Sequence, residues 1–148
     1  MLDGFREREW LEVMVHPAIT YRVPLRQTVQ RIRGAGFIPD AYHLNETYGS
    51  LDMRISRLAT AYAYGEDPPA RTRHFVSNIR VDAEVESRVE ARSNIMLCRS
   101  RGDAATLGIM TGERHDILVR GEDGFRLLSR IVLLDFSVLE TPNLATIF

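Results

Sequence analysis

Glu66-Asp67-Pro68-Pro69-Ala70-Arg71-Thr72-Arg73-His74-Phe75-Val76-Ser77-Asn78 is the stretch on which the fold turns. Neither proline offers an N–H, and the first drives its predecessor out of the α region, so a preceding helix stops by about Asp67. Beyond the prolines the chain opens into a strand that carries Arg71, Arg73, His74 and Asn78 close together. That polar cluster can serve as a catalytic site, a docking surface or a solvated turn.

Upstream, Leu51, Ile55, Leu58, Ala59 and Tyr62 repeat at spacings of three and four. With Ser50 as N-cap and Asp52 in the first turn, they predict an amphipathic helix ending near Gly65. Gly34, Gly36 and Pro39 interrupt the residues from Gln27 to Leu44, which read as a long loop that a partner covers or that lids something. Ile19, Tyr21 and Val23 alternate with Thr20 and Arg22, a strand that Pro24 restricts to an edge or an end. Leu2, Phe5, Trp10, Leu11 and Met14 share one helical face, and His16-Pro17 closes that segment.

Downstream, four long segments have strand character: about Arg73–Ala83, Arg88–Arg101, Thr106–Arg120 and Phe125–Phe136. Their alternating residues are Phe75/Ile79/Val81, Val89/Ala91/Ile95/Leu97, Leu107/Ile109 with Ile117/Val119, and Phe125/Leu127/Ile131/Leu133. Turn signals at Arg101-Gly102-Asp103 and Gly121-Glu122-Asp123-Gly124 make consecutive strands antiparallel. Gly108 and Gly112 are the places for bends or bulges. Strands this long twist and coil, so helices followed by a meander predict an α+β half-open cone, with a pocket between helices and sheet.

The chain has 148 residues, 45% hydrophobic and 26% charged, which suits one domain over 1–148 with a sizeable core. A net charge of -1 gives no basic excess for nucleic acid or an anionic membrane. All 19 basic residues are arginine, the side chain best suited to bidentate, partly desolvated carboxylate pairing. The single Cys98 excludes an internal disulfide and fits a reducing cytoplasm, and there is neither a membrane-length apolar run nor the apolar core of a signal peptide.

His16, His43, His74 and His115 are widely separated and form no HxH or HExxH arrangement. One cysteine cannot hold a Rieske cluster, which takes two Cys and two His, and no spacing supports a two-histidine, one-carboxylate iron site. Phosphate loops and a GxSxG nucleophile elbow are absent. Acid–base chemistry has candidates in Tyr21, Tyr62, His74, His115 and Asp116, the set a free-standing dehydratase or isomerase would draw on in such a pocket; a small-molecule binding module is a further reading. His115 and Asp116 are adjacent on a strand, so at most one of them faces inward.

The segment from Glu66 to Asn78 closely resembles part of the small (beta) subunit of aromatic-ring-hydroxylating, Rieske-type dioxygenases. Collinear likenesses extend to Leu2-Asp3 through Trp10-Leu11 with Tyr21, Pro24 and Arg26, to Gly112 through Leu118 with Gly124 through Asp135, and to Asn143 through Phe148. The family's further N-terminal helical stretch has no counterpart before Leu2. The resemblance implies a cystatin-like, NTF2-like fold and a non-catalytic structural subunit that supports assembly of the large (alpha) subunits in aromatic compound catabolism. It implies no catalytic, cofactor or metal residues in this chain, with the Rieske 2Fe-2S cluster and mononuclear iron in the alpha subunit. It also implies a homotrimer within an alpha3beta3 hexamer. Arg71, Arg73 and Arg114 then become candidates for salt bridges across an interface, His74 a structural histidine, and Asn78 and Asp116 partners for buried backbone or guanidinium groups.

Overall fold

In a computed structural model, residues 1–58, 60, 68–103, 105–139 and 144–148 are described. A 3-10 turn (Leu2–Gly4) precedes α1 (Glu7–Met14) and β1 (Val15–Arg26); a second 3-10 turn (Arg31–Arg33) leads into β2 (Phe37–Glu46) and α2 (Tyr48–Leu58). Four more strands follow among the described residues: β3 (Arg71–Val85), β4 (Arg88–Ser100), β5 (Gly108–Gly121) and β6 (Gly124–Leu134). They form one sheet in the order β2-β1-β6-β5-β4-β3. Only β1 and β6 run parallel; the other neighbours are antiparallel. Two helices on an open, mainly antiparallel six-stranded sheet make the α+β half-cone anticipated from the pattern.

One face of the sheet carries the core. Ile19, Tyr21 and Val23 of β1, Ile95 and Leu97 of β4, and Val132 and Leu134 of β6 are buried there against Trp10 and Leu11 of α1 and Leu51 and Ile55 of α2. The opposite face has no helix over it among the described residues and is mixed, with Arg80, Asp82, Arg92, Glu113 and His115 forming a charged cluster on it. Phe75, Met96 and Ile109 stand on it 50%, 37% and 47% exposed, and the half-buried Ile131 and Leu133 share it. A one-sided sheet normally alternates apolar in and polar out, and here exposed apolar residues interrupt the polar face.

Several details depart from the sequence reading. Gln27 to Leu44 is not a long loop, because Phe37–Glu46 is a strand. It lies at the sheet edge beside β1, where Pro39 lacks no needed ladder bond, and the pairing carries two register shifts. The first helical face is broken, since Phe5 sits in the left-handed region at φ 56 and α1 begins only at Glu7. Strand β1 already includes His16 and Pro17. Thr47, rather than Ser50, caps α2: Ser50 N donates to Thr47 Oγ1 (3.4 Å) while Thr47 N donates to Ser50 Oγ (2.9 Å), the reciprocal capping box. The continuation of α2 through Ala59 and Tyr62 to Gly65 lies outside the described residues.

Gly112 makes no bulge; β4 and β5 stay in register through it. A Cβ there would meet Leu133 O at 2.6 Å, so close strand approach is what requires glycine. The bulge lies where Ile117 pairs with Ser129 but Leu118 with Leu127, leaving Leu128 as an extra residue. One extra residue reverses the alternation, so the core side of β6 is Leu127, then Arg130, Val132 and Leu134, and the anticipated Ile131 and Leu133 fall on the other face. Likewise Met110 is buried where Leu107 and Ile109 are exposed.

Candidate functional site

The strand register brings three polar side chains into one row on the core face: Tyr21 of β1 pairs with Arg130 of β6, which pairs with Asp116 of β5. Arg130 grips Asp116 bidentately, Nε to Oδ1 at 2.8 Å and Nη2 to Oδ2 at 2.7 Å, both side chains nearly buried. Burial alone would favour losing the Arg130 proton, but the Asp116 contact outweighs it and raises the guanidinium's pKa. Arg130 Nη1 also donates to Phe148 O (2.6 Å), and Phe148 N donates to the Tyr21 hydroxyl (2.8 Å). Burial pushes the Tyr21 hydroxyl up to about 12, against the opposing charge of Arg130, so it stays protonated.

A second group forms at the start of β3. His74 Nδ1 contacts Asp3 Oδ1, and its backbone N–H donates to Asp3 Oδ2 at 3.1 Å. His74 Nε2 meets Ile147 O at 2.8 Å. Burial works to raise the Asp3 carboxyl, but hydrogen bonds from His74 and the charges of His74 and Arg73 hold it below its ordinary value. Arg54 completes the pattern, reaching Glu46 Oε1 (2.7 Å) and donating to Leu144 O (2.9 Å). Residues 144–148 are therefore seated by Arg54, His74, Arg130 and Tyr21. Sequence reading named His74 and Asp116 but missed Arg54 and Arg130. The arginine inside the apolar run of β6 was the visible signal for Arg130.

The remaining candidates lie apart. Arg71 is exposed and donates to Gly102 O (2.7 Å), fastening the β4–β5 connection of its own chain. Arg73 is exposed beside Asp3. Asn78 is exposed at φ 49, at the register shift between Ser77 and Arg80, where asparagine tolerates the left-handed conformation a bulge needs. Arg114 is half-buried on the core face, and both its Nε and Nη2 donate to Ser93 Oγ at 3.1 Å. His115 faces the other way, within 3.1 Å of Glu113 but not aligned for a hydrogen bond.

A cleft of about 440 Å³ opens between the first turns, α2, the start of β3 and residues 145–147. Leu2, Phe5, Ile55, Ala70 and Ile147 line it with His74, whereas Tyr21, Asp116 and His115 do not. The acid–base set is thus split between the cleft, the core row and the outer face, and Tyr62 lies outside the described residues. No group of three or more His, Cys, Asp or Glu suited to a metal ion occurs among the described residues, and none of their helices is long and apolar enough to cross a membrane.

The polar groups that seat residues 144–148 brace this chain itself, and apolar residues stand exposed on the outer face of its open sheet. The chain belongs to the ring hydroxylating beta subunit family, whose model matches residues 1–141. Its fold matches a chain of naphthalene 1,2-dioxygenase, solved with indole in the active site, at 26% identity and TM-score 0.82, covering 97% of this chain and 76% of that one. The beta subunit of benzoate 1,2-dioxygenase from Burkholderia mallei matches at 18% identity and TM-score 0.73, over 90% and 80%. A putative scytalone dehydratase from Novosphingobium aromaticivorans shares the fold at 16% identity and TM-score 0.64, over 91% and 74%.

Proposed function

We propose that this chain acts as the non-catalytic, structural beta subunit of a multicomponent aromatic-ring-hydroxylating dioxygenase, working as one domain in the cytoplasm. It forms a homotrimer that supports three alpha subunits in an alpha3beta3 hexamer, and the Rieske 2Fe-2S cluster and mononuclear iron belong to those partners. The observation that carries the reading is the set of apolar residues Phe75, Met96 and Ile109 that this chain leaves exposed on the outer face, beside a charged cluster. Exposed apolar surface of this kind marks a protein interface. Family membership supplies the partner.

Co-expression with the alpha subunit and size-exclusion chromatography test this. A co-eluting hexamer is expected, with no turnover by the beta chain alone. The cleft beside His74 favours a second reading, a free-standing dehydratase or isomerase. Turnover by the isolated chain that is lost in His74→Ala would establish that reading instead.

A further inference from the structure

Arg114 and Asp116 are two residues apart on β5 and so share the core face. Both oxygens of Asp116 are taken by Arg130. Arg114 has no carboxylate within ion-pair reach among the described residues, and its neighbour across β4 offers only the hydroxyl of Ser93. Within the sheet, two guanidinium groups therefore share one side-chain carboxylate. Burial, then the Arg130 charge, pulls the Arg114 pKa down to about 10, partly offset by Asp116 and Tyr21. The group still carries its proton near neutral pH. A half-buried, uncompensated cation destabilises the isolated chain, and such residues persist where function requires them.

Beside Arg114 the sheet is open and apolar. Val76 pairs with buried Ile95, and Val81 pairs with Ala91, the neighbour of Asp116, so both lie on the core face. The bulge at Asn78 leaves Asn78 and Ile79 opposite Ser93. Yet Val76, Ile79 and Val81 are 40%, 71% and 61% exposed, on a strand at the edge of the sheet. An apolar wall leading to an unneutralised guanidinium complements a carboxylate set among aliphatic side chains, and a guanidinium fork suits that carboxylate bidentately.

We infer that Arg114 and the open wall of β3 receive an aspartate or glutamate side chain of the alpha subunit, flanked there by aliphatic residues. This rests on the assembly reading above, with the outer face left to copies of this chain. The test compares wild type, Arg114→Met and Arg114→Lys in two measurements: thermal melting of the beta chain alone, and affinity for the alpha subunit at about 0.15 M salt. Arg114→Met is expected to melt no lower than wild type while binding the alpha subunit about tenfold or more weakly, with Arg114→Lys between. A lower melting point for Arg114→Met, a failure of that variant to fold, or unchanged affinity overturns the inference. So does a loss of self-association with alpha binding intact, which would make a second copy the occupant. Failure of the wild-type chain to bind the alpha subunit at all would instead overturn the assembly reading.

Discussion

Arg130 and Arg114 occupy the same face of the same sheet and have opposite surroundings. Toward β1, Arg130 is neutralised by Asp116, donates to Phe148 O and sits beside the buried Tyr21. Toward the β3 edge, Arg114 has a hydroxyl for a partner, and β3, beyond β4, leaves its apolar residues exposed. The first arrangement completes itself within one chain; the second does not. The difference separates polar residues that hold the fold from those available to another chain, a separation that residue type alone does not make.

Variants that break the packing this chain completes by itself should show the largest effects. Asp116→Ala leaves Arg130 buried without its counter-ion and is expected to lose about 3–5 kcal/mol in urea denaturation. A loss below about 1 kcal/mol would remove the contrast with Arg114. Gly112→Ala places a methyl 2.6 Å from the Leu133 carbonyl oxygen, and because that neighbour is backbone the strands must shift. A cost of about 1–3 kcal/mol, read from thermal melting, is expected.

A smaller, pH-dependent effect belongs to Asp3. Its folded pKa lies below the ordinary 3.8, so the contact stabilises the fold above that value and is lost as pH falls through the lower folded pKa. The stability difference between wild type and Asp3→Asn should therefore be full near neutral pH and shrink in that acid window, as followed by denaturant midpoints. A difference that grows toward acid would contradict the assignment. Smallest is Arg71→Ala, whose exposed contacts to its own chain predict a loss of at most about 1 kcal/mol and an undisturbed complex on size-exclusion chromatography.

The helices and long strands were legible because period and turn chemistry agree locally, as in Leu51/Ile55 and in Ile19/Tyr21/Val23. Strand β2 was hidden by glycine and proline that an edge strand accommodates. The face of Ile131 and Leu133 was misjudged because Leu128 is one residue too many, and nothing in β6 alone announces a bulge that exists only relative to β5. His74 and Asp116 stood out by residue type, but their partners Asp3, Ile147 and Arg130 lie far along the chain or across the sheet. Pairing of that kind becomes visible only when the register is known.

The central claim is that β3 and the outer face of the sheet are completed by other chains. Hydrogen–deuterium exchange of the beta chain, alone and in complex with the alpha subunit, tests it most directly. The account predicts that amides of residues 75–85 exchange readily in the isolated chain and become protected on assembly, while those around Tyr21 and Arg130 are protected in both states. Equal exchange at residues 75–85 with and without the partner would contradict it.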